Sequence, residues 1–177
     1  VNGKIWSTSS RHLPLFYWVV KDLDDEKEYI KCYSPKNHKK KKFCSNTPGK
    51  LIVDFDVLPD KVDKLIICSS KKDGLVVASQ GYHQVHFGGE GIIPDSVNDL
   101  EHIADQIFIL YDNDKAGQEG AKKLQERFSK PVKSFAWEGI DKSISDIADY
   151  AWSHSEEDLK NLLKSFAGKP EFKWQDG

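Results

Sequence analysis

The 177-residue sequence contains no methionine, only three cysteines and no long apolar run. The cysteines are widely spaced and include no Cys-x-x-Cys pair, which excludes a zinc knuckle and a disulfide framework and favours a reducing, cytoplasmic location. No apolar stretch approaches the roughly 20 residues that cross a bilayer, and the N-terminus lacks a signal-peptide layout, so we expect no membrane partner. Because methionine is absent even at position 1, we expect a processed or excised piece of a longer protein.

The sequence also lacks a strong excess of charge of either sign. Charged residues make up 31% of the chain, yet the formal net charge is -2. Any binding of nucleic acid must therefore come from a local patch. The candidate patch is a run of four lysines, Lys39, Lys40, Lys41 and Lys42, which leads into Phe43. Lysines among aromatic residues suit single-stranded nucleic acid, because charges follow phosphates and rings stack on bases; the alternative is a solvated hairpin edge.

The pattern of apolar residues changes near position 60. Before it, residues 15–20 and 28–33 are typical of the two strands of a β-hairpin. After it, short apolar runs alternate with helical patterns, which predicts an α/β fold with a parallel sheet flanked by helices. The expected division is a small basic N-terminal subdomain over residues 1–60, an α/β domain over 61–167 and a tail or linker over 168–177.

The elements predicted for the α/β part follow from apolar periodicity and from turn residues. The strands are predicted over residues 64–68, 84–87, 106–111 and 132–137. The helices are predicted over residues 71–80, 94–105, 116–128, 144–152 and 156–167.

The most informative stretch is Asp112-Asn113-Asp114, which follows an apolar run and precedes Ala116-Gly117. Side chains at i and i+2 of an extended segment point the same way, so both carboxylates can face one site. The carboxyl edge of a parallel sheet is where open α/β folds place their sites. Two carboxylates there suit Mg²⁺ (or Mn²⁺), which binds through few carboxylates together with substrate phosphates. The alternative is an acidic surface turn.

The segment FILYDNDKAGQEGAKKL resembles the second signature of TOPRIM domains, which occur in primases, topoisomerases and some nucleases. In that family an Asp-x-Asp carries Mg²⁺ and an Ala-Gly opens the next helix. The resemblance is closest to phage-type DNA primases and covers roughly residues 15–166, since the hairpin and lysine run resemble the small basic subdomain of those enzymes. It implies a Rossmann-like TOPRIM sheet and Mg²⁺-dependent synthesis of short RNA primers on single-stranded DNA.

The first TOPRIM signature, Glu-Gly-x-x-Asp, is altered in this chain. Its aspartate is kept as Asp73, but its glutamate, the family's general acid/base, is replaced by Ser69. A serine does not give up its proton near neutral pH without an activating base. The pattern resembles a Ser-x-Lys-Asp variant of phage primase-like sequences, which implies a phosphate-binding Lys72 and a metal-binding or basic Glu90. The alternatives are a helix capped by serine with solvated lysines, and an exposed glutamate in a flexible turn.

The segment 141–146 resembles the Lys-Asp-Ile-Ser-Asp motif at the end of phage primase TOPRIM domains, with Ser143 in place of the first aspartate. Asp146 is predicted to cap a helix, since aspartate is favoured at that position. The resemblance adds a second role for Asp146 beside the metal site, and directs Lys142 towards phosphate.

These observations lead to one expected site and three functional hypotheses. The expected catalytic residues are Asp112, Asp114, Glu90, Asp73 and Lys72, with Asp112, Asp114 and Glu90 as metal ligands. The residues expected to bind nucleic acid are Lys39, Lys40, Lys41, Lys42 and Lys142. The first hypothesis is a primase with single-stranded DNA, ribonucleotides and a replicative helicase as partners. The others are a TOPRIM nuclease and a non-catalytic domain that binds nucleic acid or a partner, favoured by Ser69.

Overall fold

The computed structural model describes residues 15–22, 27–36, 42–49 and 51–172. Within these ranges the chain forms two sheets, one antiparallel with three strands and one parallel with four. The α/β architecture predicted from the sequence is confirmed, with helices on both faces of the parallel sheet. Among the described residues, no helix is long and apolar enough to cross a membrane.

The N-terminal sheet has the order β1-β2-β3, with antiparallel pairing throughout. Its strands are β1 (Phe16–Lys21), β2 (Glu28–Tyr33) and β3 (Phe43–Ser45). The predicted hairpin is β1 and β2. The third strand is not predicted, because three residues after a lysine run are too short to show an alternating pattern.

The parallel sheet has the order β5-β4-β6-β7. Its strands are β4 (Val62–Cys68), β5 (His83–His86), β6 (Ala104–Leu110) and β7 (Lys133–Ser134). The central strands β4 and β6 end in runs of four buried residues, as is typical of strands covered on both faces. Their carboxyl ends are level, since Cys68 pairs with Leu110. The segments that follow these two strands therefore emerge side by side.

Helices cover both faces of this sheet. They are α1 (Lys71–Ser79), α2 (Leu100–Ile103), α3 (Lys115–Gln125), α4 (Ile147–Ser153) and α5 (Glu156–Ala167), with 3₁₀ turns at Phe55–Val57 and Asp95–Asp99. Successive residues of β4 supply two separate cores, because side chains alternate across a strand. Leu65 and Ile67 pack with Leu100 and Leu124 on one face. Ile66 packs on the other, with Val77, Leu159, Leu163 and Phe166.

Three predicted elements differ clearly from their expected bounds, and the helix predicted over 116–128 also ends early, at Gln125. The helix predicted over 94–105 ends at Ile103, because Ala104 already pairs with Val62 in the sheet. The strand predicted over 132–137 is reduced to Lys133–Ser134. The helix predicted over 144–152 begins only at Ile147, because the side chain of Asp146 caps it.

The segment before β4 lies against the parallel sheet. Val53 forms an isolated antiparallel bridge with His86, and its N–H donates to the His86 carbonyl at 2.8 Å. Ile52, Phe55 and Leu58 pack against the core that contains Leu65 and Ile67. Residues 51–58 therefore connect the antiparallel sheet to the edge of the parallel one, and the division of the chain at residue 60 stays a prediction.

Candidate active site

Three carboxylates converge beyond the carboxyl ends of β4 and β6. Asp73, Asp112 and Asp146 each offer an oxygen, and these atoms all lie within 4.8 Å of one another. The residues come from the first turn of α1, from the segment after β6 and from the cap of α4. We call this group the carboxylate trio. Like-charged groups at this spacing repel one another, so the arrangement favours a cation or bound protons.

Asp73 is held in place by the start of α1. Ser70 is the N-cap, and its side-chain oxygen accepts from the Asp73 N–H. The carboxylate of Asp73 is buried and accepts hydrogen bonds from the hydroxyls of Ser69, at 2.8 Å, and of Ser70. Burial and the charge of Asp146 raise its pKa, whereas the two serine hydrogen bonds lower it. The serines thus form the expected cap and also orient a site residue.

Asp112 has one carboxylate oxygen, Oδ1, that is buried and unpaired among the described residues. Burial, together with the charges of Glu90, Asp73 and Asp146, raises the pKa of Asp112 to about 7, although the nearby Ser69 hydroxyl opposes the rise. Buried polar atoms are nearly always paired, so this oxygen suits a ligand from outside the described part of the chain, such as a cation.

Asp146 has two partners, one for each carboxylate oxygen. Oδ1 accepts from the Asp149 N–H at 2.8 Å, which caps α4 as predicted. Oδ2 accepts from Nζ of Lys72 at 2.6 Å. Burial lowers the pKa of Lys72, but the hydrogen bond and charge of Asp146 outweigh it, so the net shift is upward. Lys72 is therefore a charged group fixed against the trio.

Asn113 positions the segment before α4, a role that the sequence does not reveal. Its backbone N–H donates to the Ser145 carbonyl at 2.7 Å. Its side-chain Nδ2 donates to the Ile144 carbonyl at 3.0 Å. These two bonds tie the segment before Asp146 to the residue that follows Asp112. No local pattern indicates them, because the partners lie more than 30 positions apart in the chain.

Two predicted metal ligands, Asp114 and Glu90, lie beside the carboxylate trio rather than in it. Asp114 is exposed and caps α3 by accepting from the Gly117 N–H at 2.8 Å. Glu90 is half-buried, and its Oε1 accepts from the Asp112 N–H at 2.9 Å. Burial raises the pKa of Glu90; the Asp112 hydrogen bond lowers it, and the charges of Asp114 and Asp73 add to the rise. Metal binding by these two residues stays a prediction.

The glycines of α3 explain the Ala-Gly part of the motif. A Cβ at Gly117 would lie 2.3 Å from the carbonyl oxygen of Asp112. A Cβ at Gly120 would lie 2.7 Å from the carbonyl oxygen of Glu90. Only glycine therefore lets the helix lie this close to the two backbone segments that carry the acidic residues.

The structure describes only two of the five lysines that are predicted to bind nucleic acid. Lys39, Lys40 and Lys41 lie outside the described residues, whereas Lys42 is half-buried at the start of β3, where its carbonyl accepts from the Ser34 N–H at 2.8 Å. Lys142 is exposed and lines a cavity of about 480 Å³ beside Asn113 and Trp137. Neither position tests contact with nucleic acid, which stays a prediction.

No family model matches the sequence, and no curated protein matches it. Solved structures do match. One is a chain from the complex of the bacteriophage T7 lagging-strand DNA polymerase with primase domains bound to an RNA/DNA hybrid, at a TM-score of 0.66 and 12% identity, covering 90% of this chain and 81% of that one. The primase fragment of the T7 primase-helicase matches at a TM-score of 0.62 and 13% identity, covering 86% of this chain and 63% of that one.

A structure of the DnaG primase matches this chain at a similar TM-score. The DnaG primase catalytic domain bound to single-stranded DNA matches at a TM-score of 0.61 and 15% identity, covering 90% of this chain and 54% of that one. The chain has the TOPRIM fold of primase cores. The carboxylate trio contains Asp73 and Asp112 of the two TOPRIM-like signatures together with Asp146, and it leaves out Asp114 and Glu90, the other two metal ligands expected from the sequence. The chain spans about half of the DnaG domain.

Proposed function

We propose that the chain is the catalytic core of a phage-type DNA primase, which makes short RNA primers from ribonucleotides on single-stranded DNA. The observation that carries the proposal is the convergence of Asp73, Asp112 and Asp146 at the carboxyl edge of a TOPRIM sheet. The likeness to primase structures that hold an RNA/DNA hybrid or single-stranded DNA supports it at the level of the fold. A replicative helicase, fused or separate, is the expected partner.

The donor set fits a hard divalent cation. Every group of the carboxylate trio is an oxygen donor, as Mg²⁺ and Mn²⁺ prefer, and Asp112 has a buried oxygen that no described residue pairs with. Asp73, Asp112 and Asp146 would hold the metal, with Asp114 and Glu90 beside them. When bound, Mg²⁺ supplies charge neutralisation and alignment for phosphoryl transfer.

The other polar residues of the site orient the trio or offer positive charge. Ser69 cannot act as the family's glutamate does, but its hydroxyl donates to Asp73 and so fixes that carboxylate. Glu90 holds the backbone of Asp112. Lys72, fixed against Asp146, and Lys142, which lines a cavity together with Asn113, carry charges that suit the phosphates of a nucleotide.

The antiparallel sheet offers a surface for the template strand. Phe16, Tyr33 and Phe43 occupy paired positions across its three strands, so they share one face. Tyr33 and Phe43 stack with ring centroids 4.9 Å apart, and Phe16 and Phe43 are more than half exposed. Stacking of a base on such a ring contributes about 1–3 kcal/mol. Lys42 and the rest of the lysine run are adjacent in sequence and suit the phosphates.

The test is primer synthesis by the purified chain. With single-stranded DNA, labelled ribonucleotides and Mg²⁺ or Mn²⁺, we expect short oligoribonucleotides from the wild type. We expect none from Asp112→Asn or Asp146→Asn, and normal synthesis from Asp105→Asn, which alters an exposed carboxylate at the start of β6, the end of the strand away from the trio. Full synthesis by Asp112→Asn would contradict the assigned site. Shortening of an end-labelled template would instead indicate the nuclease.

A second candidate is a non-catalytic TOPRIM domain that binds nucleic acid or a replication partner. Two observations favour it: Ser69 replaces the usual glutamate, and Lys72 already pairs with a carboxylate of the trio. Binding of single-stranded DNA without primer synthesis, in the wild type and in Asp112→Asn alike, would support this candidate over the primase.

A further inference from the structure

Two of the three cysteines face each other across the antiparallel sheet. Cys32 of β2 and Cys44 of β3 are direct partners in the strand register. The neighbouring pairs are Lys31 with Ser45 and Tyr33 with Phe43. Because directly opposed residues point to the same side of a sheet, both thiols lie on one face, the face opposite Tyr33 and Phe43.

The hydrogen-bond pattern sets the distance between the two residues. The Ser34 N–H donates to the Lys42 carbonyl at 2.8 Å, and the Asn46 N–H donates to the Ile30 carbonyl at 3.3 Å. Bonded pairs recur every two residues, so Cys32 and Cys44 form the bonded pair between these two, with Cα atoms about 5.5 Å apart. Disulfides join residues with Cα atoms about 4.4–6.8 Å apart, so the Cα distance lies within that range. The Cβ atoms of a bonded pair lie near the upper end of about 4.5–5.5 Å, whereas a disulfide needs about 3.5–4.5 Å, so the bridge requires the two strands to approach by roughly 1 Å.

The surroundings of the two thiols differ from those of the third. Cys32 and Cys44 are free and partly exposed, whereas Cys68 is free and buried in the core of the parallel sheet. Burial raises the pKa of the Cys32 thiol, and the proximity of Cys44 raises it further. A reagent from solution therefore has access to the first pair only, and the two thiols are near enough to affect each other.

We propose that Cys32 and Cys44 are a redox site that closes reversibly into a cross-strand disulfide, with a small-molecule disulfide as oxidant. The thiolate of one cysteine attacks a sulfur of the reagent, forms a mixed disulfide and releases one reagent thiolate. The second cysteine loses its proton and attacks the protein sulfur of the mixed disulfide, which releases the second reagent thiolate. Two protein thiols thus become one disulfide while the reagent takes up both electrons.

The disulfide would hold together the two ends of the segment that carries the four lysines. Residues 33–43 lie between the two cysteines and include Lys39, Lys40, Lys41 and Lys42. The strand β3, only three residues long, would be covalently tied to β2. Closing a loop removes conformational freedom from the unfolded chain and stabilises the folded sheet. The inference depends on the strand register and is independent of the proposed primase activity.

The test uses the full chain with an excess of oxidised over reduced glutathione at pH 8. We expect the wild type to lose the mass of two hydrogen atoms, a Cys32–Cys44 peptide to appear on digestion, and the melting temperature to rise by about 5 °C or more. Dithiothreitol should reverse all three changes. The yield should not depend on protein concentration, since the bond is within one chain.

Three variants make the result specific. Cys32→Ser and Cys44→Ser should each gain one glutathione and form no internal bridge, while Cys68→Ala should form the bridge as the wild type does. The proposal is overturned if the wild type stays reduced, carries glutathione on both cysteines, or forms only bonds between chains. The same conclusion follows if Cys68 is one of the bridged residues.

Discussion

Lys72 places its Nζ 2.6 Å from Oδ2 of Asp146, which joins the first turn of α1 to the cap of α4. Side chains 74 positions apart in the chain thus form an ion pair at the edge of the carboxylate trio. The lysine partly neutralises a cluster that otherwise repels itself. It also pairs with a carboxylate of the proposed metal site, so Lys72 and a bound metal ion would compete for Asp146.

Replacing Lys72 by Met should strengthen metal binding to the nucleotide-free protein. The substitution keeps most of the apolar stem and removes the charge that competes for Asp146. We expect Mn²⁺ to bind several-fold more tightly by calorimetry. Lys115→Met is the matched control, because Lys115 is exposed and pairs with Glu119 on the surface of α3. Unchanged or weaker binding in Lys72→Met would show that the ion pair does not compete with the metal.

Asp112→Asn should stabilise the metal-free protein at alkaline pH. The folded-state pKa of Asp112 is about 7, against an ordinary value of 3.8, so the folded protein binds this proton more tightly than the unfolded chain does. The stability from the protonated group is present below pH 3.8 and is lost as the pH rises towards 7. At pH 8 the variant should gain on the order of 1–2 kcal/mol, after allowance for solvent screening.

Urea unfolding at pH 5 and pH 8, with a chelator present, measures this effect. Mg²⁺ should raise the stability of the wild type at pH 8 and leave Asp112→Asn unchanged, because ligands that bind only the folded state stabilise it. Asp105→Asn should behave as the wild type does. A variant less stable than the wild type at pH 8 would argue that Asp112 is already paired.

Gly117→Ala should disturb the site through the backbone. The new Cβ would meet the Asp112 carbonyl oxygen at 2.3 Å, a contact that forces α3 away from the strand end. We expect a loss of about 1–3 kcal/mol in the free energy of unfolding and weaker Mn²⁺ binding. Gly89→Ala is the control, since a Cβ there lies more than 4 Å from every described residue it could meet. Equal losses of stability and Mn²⁺ affinity in the two variants would show that the close approach of α3 to Asp112 does not support the site.

His86 should make the protein less stable in acid. It is fully buried, and burial lowers its pKa below the ordinary 6.5, although Asp54 raises it in part. The unfolded chain therefore takes up this proton more readily, so the stability present above pH 6.5 is lost as the pH falls. The slope from one such group is at most about 1.4 kcal/mol per pH unit.

The measurement is the difference in unfolding free energy between the wild type and His86→Asn from pH 7 to pH 5. A difference is needed because protonation of Asp112 stabilises the folded protein over the same interval. This effect opposes the loss caused by His86 and masks it in the pH dependence of the wild type alone. We expect the advantage of the wild type to shrink as the pH falls. The exposed control His102→Asn should keep a constant difference, and a constant difference for His86→Asn would refute the assignment.

The sequence predicts the parts of this molecule that local patterns determine. Alternation of apolar and helical segments predicts the parallel sheet, and Asp146 is recognisable as a helix cap. Contacts between distant segments leave no such pattern. The bonds from Asn113 to residues 144–145 and the pairing of Lys72 with Asp146 are examples. The convergence of Asp73 with Asp112 depends on the level ends of β4 and β6, a matter of register that alternation does not specify.

The serine at position 69 also limits the negative charge of the carboxylate trio and its surroundings. A glutamate there would bring a fourth carboxylate to the trio, whereas Ser69 brings only a neutral hydroxyl that donates to Asp73. With all three aspartates ionised and Lys72 protonated, these four groups carry two negative charges. One divalent cation balances that charge. If the proposed metal site consists of the trio alone, the replacement of glutamate by serine therefore leaves a charge that a single ion neutralises in the absence of nucleotide.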